Sequence, residues 1–194
     1  MDSIFYHYTD FQALDGILHS AQLRVNNVLR MNDSAEMRHF MGRLSSAIVR
    51  QLAAEGETAR ARAVQALFQE ELEKEYSAFA ACFSFRRDDA AQWERYGNQG
   101  RGVCIAFQGE LLRRMAAGPL SLHTVFYEDD MTGHPMVDRF CRLVRGKASL
   151  SGEDRDIQLA MRDAWACSVA FKHPSFSSED EVRLVVSPFG QEAF

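Results

Sequence analysis

Toward its C-terminal end the sequence reads FSSEDEVRLVV, with Glu179, Asp180 and Glu181 running straight into an apolar strand pattern. Adjacent acids repel one another at the mouth of a hydrophobic strand, so folding alone gives no reason for them. Alternation along an extended chain puts Glu179 and Glu181 on one face, with hydroxyls from Ser177 and Ser178 beside them. A carboxylate pair stabilises cationic charge as it develops, as at an anomeric carbon losing its leaving group. The plainer alternative is a solvated turn with Arg183 as counter-ion.

Three further groups carry chemistry. His7, Tyr8 and Thr9 close the first strand pattern, where His7 and Thr9 share one face and Tyr8 takes the other. A histidine there can donate to a ribose hydroxyl or a carboxamide, or serve as a core residue bonded to a carbonyl. Ser84 ends an apolar strand, and Trp93 and Tyr96 follow three apart on one helical face. Two such aromatics form either core or a stacking platform for a flat ring. Asn32, Asp33 and Glu36 are polar, yet Asp33 with Glu36 also reads as a capping box.

These residues need elements to hold them. IFYHYT predicts a strand over Ser3 to Tyr8, and Thr9 or Asp10 can cap a short helix carrying Phe11, Leu14, Ile17 and Leu18. Gln22 to Val25 reads as a second short strand. A helix opened by Asp33 runs to Ala54, and another spans about Glu57 to Tyr76 after the Gly56 break. SAFAACFSF is a buried-strand pattern, DDAAQWERYG a short capped helix ended by Gly97, and RGVCIAF a strand entered through GNQGRG. A helix over Glu110 to Ala116, a strand over Ser121 to Tyr127 and helices over Pro135 to Lys147 and Glu153 to Phe171 follow. The loop KHPSFSSED leads into the strand EVRLVV. Strict strand–helix alternation is absent, which predicts an α+β fold with small mixed or antiparallel sheets rather than a doubly wound one. GNQGRG has neither the GxGxxG order nor the Lys-Ser/Thr of a P-loop.

The 194 residues, 46% hydrophobic, suit a single domain over 1–194 with a helical insertion at about 33–76. A net charge of -5 argues against broad nucleic-acid binding through a basic surface. Cys82, Cys104, Cys141 and Cys167 are widely spaced with no CxxC pair, which predicts free thiols and no zinc site. No apolar run approaches the ~18 residues of a membrane span. MDSIFYHYTD has no basic n-region or cleavage site, so the expected location is the cytoplasm, or a target cell's cytoplasm reached without a cleaved signal.

The blocks HYTD, LRVNNVLRMNDSAE, CFSFRRDDAAQWERYGNQGRGVCIAF and the closing Lys-then-EDEVRL pattern resemble the bacterial domain-of-unknown-function family DUF2971. The arrangement is also similar to the ADP-ribosyltransferase superfamily, whose members bind NAD in a cleft between two small sheets. That resemblance implies a split-sheet fold and transfer of ADP-ribose from NAD to an acceptor, by a bacterial toxin, effector or defence protein. It implies that His7 holds the nicotinamide-side ribose with Thr9 as a further polar contact. Ser84 matches one version of the middle element of the motif and Tyr96 the other, and Tyr96 or Trp93 stacks on nicotinamide. Glu181 stabilises the oxocarbenium-like state and Glu179 orients or deprotonates the acceptor. Arg86, Arg87 or Arg30 meets the pyrophosphate. The acceptor is expected to be protein rather than nucleic acid, and an inhibitory partner protein is compatible with the scheme. CFSF departs from a Ser-Thr-Ser run, and the insertion from Asp33 to Tyr76 is long. Two other classes fit the residues alone: a non-catalytic nucleotide- or peptide-binding module, and a metal-dependent hydrolase or nuclease using His7, Asp33, Glu36 and the terminal acids.

Overall fold

The computed structural model describes residues 3–31, 35–74, 76–116 and 120–186. The expected IFYHYT strand is β1 (Ile4–Thr9), and Asp10 caps the helix α1 (Phe11–Ser20) by accepting from Ala13 N at 2.7 Å. A two-residue strand β2 (Asn26–Asn27) precedes the helices α2 (Glu36–Ala54) and α3 (Thr58–Leu72). Then come β3 (Phe79–Ser84), α4 (Ala90–Arg95), β4 (Val103–Gln108), α5 (Gly109–Met115) and β5 (Leu120–Thr124). Helices α6 (Pro135–Arg145) and α7 (Arg155–Ser168) lead through a 3₁₀ turn, Pro174–Glu179, into β6 (Glu181–Val186). Helices and an antiparallel sheet thus make an α+β fold.

The strands form one six-stranded sheet in the order β4-β1-β3-β6-β5, with β2 also on β3. All the pairings are antiparallel. β1 runs along the whole of β4, and β3 along the whole of β6. Between β1 and β3 the register is one pair, Tyr6 opposite Ser84, and beyond it side chains make the join: His7 Nδ1 lies 2.8 Å from Cys82 O. Two halves therefore meet at a narrow seam, and β2 occupies the other end of the same β3 edge through Asn26–Ala80 and Asn27–Phe79.

Residues opposite each other in antiparallel strands share a face, so the register assigns every side chain. Ser84 and Glu181 are paired, as are Cys82 and Arg183, and this face continues through Tyr6 and Tyr8. Ala80 and Val185 on it pack under α2, α3, α6 and α7 in the main core. In α2 the buried residues Met37, Phe40, Met41, Leu44, Ile48 and Leu52 recur at helical spacing and form its core stripe. Each such side chain stabilises the fold by about 1.5–3 kcal/mol relative to exposure. The opposite face carries a smaller cluster, Phe5, Ala81, Phe83, Leu112, Val182 and Leu184, with α5 supplying Leu112.

Several boundaries differ from the sequence pattern. Gln22 to Val25 is irregular rather than a strand; Leu23 and Val25 pack against the smaller cluster, and the ladder on β3 starts only at Asn26. β5 stops at Thr124 because Val125 N turns to Glu181 O and Phe126 N to Ala170 O, which pulls the chain out of the sheet. The long helices are shorter at their ends, with Asp154 capping α7 and Tyr76 leaving α3 to stack on Trp165 at 4.6 Å. The proposed cap Asp33, with Asn32, lies outside the described residues. Among the described residues no helix is long and apolar enough to cross a membrane. Their four cysteines are free thiols.

Candidate functional site

β6 enters the sheet through an unusual turn. Glu179 ends the 3₁₀ turn, Asp180 takes a left-handed conformation at φ 47°, and Glu181 is the first strand residue. The two glutamates converge, but by this turn rather than by the strand alternation expected from sequence. Lys172, which follows α7, reaches both: its Nζ lies 2.5 Å from Glu179 Oε2 and 3.3 Å from Glu181 Oε2. It is also 3.6 Å from Glu36 Oε1, at the start of α2. Arg183 donates from Nε to Glu181 Oε1 at 2.8 Å, from Nη2 to Glu36 Oε2 at 3.0 Å and from Nη1 to Val169 O at 2.8 Å.

All five of these charged side chains are buried. Removing each ion from water costs several kcal/mol, which only close pairing and saturated hydrogen bonds offset. Three acids face two buried cations, and Arg95 completes the balance from the rim: it donates to Glu179 Oε1 at 2.7 Å with its side chain 44% exposed. Burial pushes the Glu181 carboxyl upward, but the Arg183 charge and hydrogen bond, then Lys172, outweigh it and hold Glu181 below the usual carboxylate range. Burial likewise opposes the charge on Arg183, and Glu181 overcomes it, raising that guanidinium well above its ordinary value. The Cys82 thiol beside them is driven up by burial first and by the Glu181 charge second.

Neutral groups around these ions fix the turn. Ser84 Oγ donates to Glu179 O at 2.6 Å and accepts from Arg86 N at 3.0 Å. Gln92 Nε2 donates to Glu179 O at 3.3 Å, and Phe85 N to Asp180 O at 2.9 Å. Tyr96 OH donates to Glu179 Oε1 at 3.1 Å, and Tyr127 OH accepts from Glu181 N at 2.8 Å. The Phe176 ring lies under Lys172 at 5.0 Å and Arg95 at 5.9 Å, a cation–π arrangement. Arg86, half exposed, is 3.7 Å from Asp180 at the same end.

Of the residues singled out in the sequence, Ser84, Tyr96, Glu179 and Glu181 are brought together, with Glu36 joining them. Tyr8 shares their face and is buried beside α4. Its hydroxyl donates to Arg86 O at 2.8 Å and accepts from Asp89 N at 3.2 Å, and its ring meets Trp93 edge-on at 5.0 Å. Trp93 donates from its indole to Asp88 at 2.8 Å. It lines an open hollow of about 640 Å³ with Ala90, Glu94, Gln99, Gly100 and Gly102. His7 and Thr9 lie on the opposite face, where His7 packs on Phe83 and Phe107 and burial lowers its pKa. His7 and Glu36 therefore do not share a metal site, and the acids are matched to Lys172 and Arg183.

The solvated-turn alternative for the three acids fails for Glu179 and Glu181, because both carboxylates are buried, with Lys172 as the buried cation on Glu179 and Arg183 and Lys172 on Glu181. Sequence reasoning missed Lys172, Arg95, Gln92 and Tyr127. Lys172 had a signal: a lone lysine after the apolar run WACSVAF has to find a buried acid or leave the core.

The chain matches no curated protein and no solved structure. From Gln92 at the buried turn to Leu184 in β6, residues 92–184 match the model of the family described as "Protein of unknown function (DUF2971)", the family that the sequence blocks resemble.

Proposed function

We propose that this chain is a cytoplasmic NAD-dependent ADP-ribosyltransferase, acting as a toxin, effector or defence protein on a protein acceptor. One observation carries the reading: two carboxylates, Glu179 and Glu181, gather with Ser84 and Tyr96 at the seam where the two halves of the sheet meet. The narrow β1–β3 join supports a split-sheet arrangement of the kind that the resemblance implies. In the reaction the bond between the nicotinamide nitrogen and ribose C1′ breaks, and nicotinamide leaves with the electron pair. The oxocarbenium-like centre is stabilised by the carboxylates, the acceptor's nucleophile bonds to C1′, and its proton passes to Glu179. Arg95 and Arg86 are the half-exposed guanidiniums at this end and suit the pyrophosphate, whose arrival would draw Arg95 off Glu179 Oε1. On this reading Tyr8 takes a place beside the ligand that His7, on the other face, cannot share with Glu181.

A second reading, a non-catalytic nucleotide- or peptide-binding module, is favoured by the engagement of both Glu181 oxygens by Arg183 and Lys172. Nicotinamide release separates the two. Glu179→Gln, checked for folding by circular dichroism, lowers release roughly 100-fold or more if the carboxylate acts on the acceptor. Equal release in wild type and variant would remove Glu179 from the chemistry.

A further inference from the structure

One turn beyond Glu36, α2 presents His39 to two residues from other parts of the chain. His39 Nε2 lies 3.4 Å from Oδ1 of Asp129, in the segment after β5. The ring of His173, next to Lys172, is centred 5.5 Å from that of His39. One ligating atom from each of His39, Asp129 and His173 lies within 4.8 Å of the other two. We propose that these three residues bind a divalent transition-metal ion of the zinc class, clasping α2 to the segment that carries Lys172 and Glu179.

Two imidazoles and a carboxylate are the donor set that zinc and its neighbours prefer, with water completing the coordination. Ligand bonds of about 2.0–2.2 Å place donor atoms roughly 3.4 Å apart in a tetrahedral site, so side-chain rotations of the present trio suffice. Each ligand already has a contact that orients it. His39 is stacked on Phe171 at 5.7 Å. Arg43 pairs with Oδ2 of Asp129, leaving Oδ1 toward His39. His173 Nδ1 lies 2.8 Å from Ser175 Oγ. The same Nδ1 accepts from Ser175 N at 3.2 Å, which anchors the ring at the head of the 3₁₀ turn. The three ligands are not the carboxylates proposed for NAD chemistry, and the site does not depend on that reading.

The test titrates Co²⁺ and Zn²⁺ into metal-free protein without NAD, followed by cobalt visible absorption and thermal unfolding. The expected result is saturable one-to-one binding with a rise in Tm. Affinity should fall at least tenfold in His173→Ala and in His39→Gln, and stay unchanged in His19→Ala, an exposed histidine on α1. His173 is exposed but caps the 3₁₀ turn, so circular dichroism verifies that its variant folds before the titration. Absence of saturable binding in wild type, or equal affinity in both ligand variants, would overturn the site.

Discussion

Glu179 is held by two kinds of partner. Its Oε2 faces the buried Lys172, while Oε1 takes Tyr96 and the partly exposed Arg95. Glu181 has both oxygens on buried cations. Removing one member of such a network strands its partners. Arg183→Met leaves Glu36 and Glu181 short of a cation and is expected to cost about 3–5 kcal/mol in denaturant unfolding. A loss under 1 kcal/mol would mean that solvent reaches these groups. The pH dependence has a definite sign. Glu181 titrates below its ordinary 4.5 in the folded protein, so the unfolded chain takes up that proton first on acidification. Its contribution is whole above about pH 4.5 and is lost as the pH falls through the lower folded value. Glu181→Gln should flatten the acid limb of the stability curve; an unchanged limb would contradict the pairing.

At the scale of elements, α4 is short and rests on its cap: Asp89 accepts from Ala91 N at 3.0 Å and Gln92 N at 3.1 Å. Asp89→Ala should cost about 1 kcal/mol in unfolding and loosen the helix that delivers Gln92, Arg95 and Tyr96 to Glu179. The turn into β4 has no room for a side chain at Gly102, where a Cβ would sit 2.1 Å from Thr9 O. Gly102→Ala should therefore lower Tm, at a cost of about 1–3 kcal/mol. These local features were legible in sequence: the Asp89 cap, the IFYHYT alternation, the α2 stripe and the acids before β6 follow from short-range rules. The convergence of Glu36, Lys172 and Arg183 was not. It depends on α2 and the Lys172 segment both lying over β6, a long-range packing that periodicity does not encode. His7 illustrates the same gap from the other side: its own strand face was readable, but which face Glu181 would take was set by the register Ser84–Glu181.

Over the whole molecule the two sheet faces are unequal. One carries four helices and the buried charges; the other holds the small cluster around Phe5, Phe83 and Leu112, beside a hollow of about 530 Å³ lined in part by Phe85, Arg113 and Val182. α1 buries no residue, and Phe11 and Leu18 are exposed on it. Leu18→Glu should consequently leave stability within about 0.5 kcal/mol of wild type. The charged network ties the helical layer to the sheet through α2, the segment after α7 and β6, and places its one surface-facing side at the sheet seam. That placement is the basis for the proposed NAD chemistry, and its most direct test is NAD titration of the wild-type protein by thermal shift, with free nicotinamide assayed in the same samples and cell lysate supplied as acceptor. The account predicts a saturable shift accompanied by nicotinamide release. Neither a shift nor nicotinamide at millimolar NAD would contradict it.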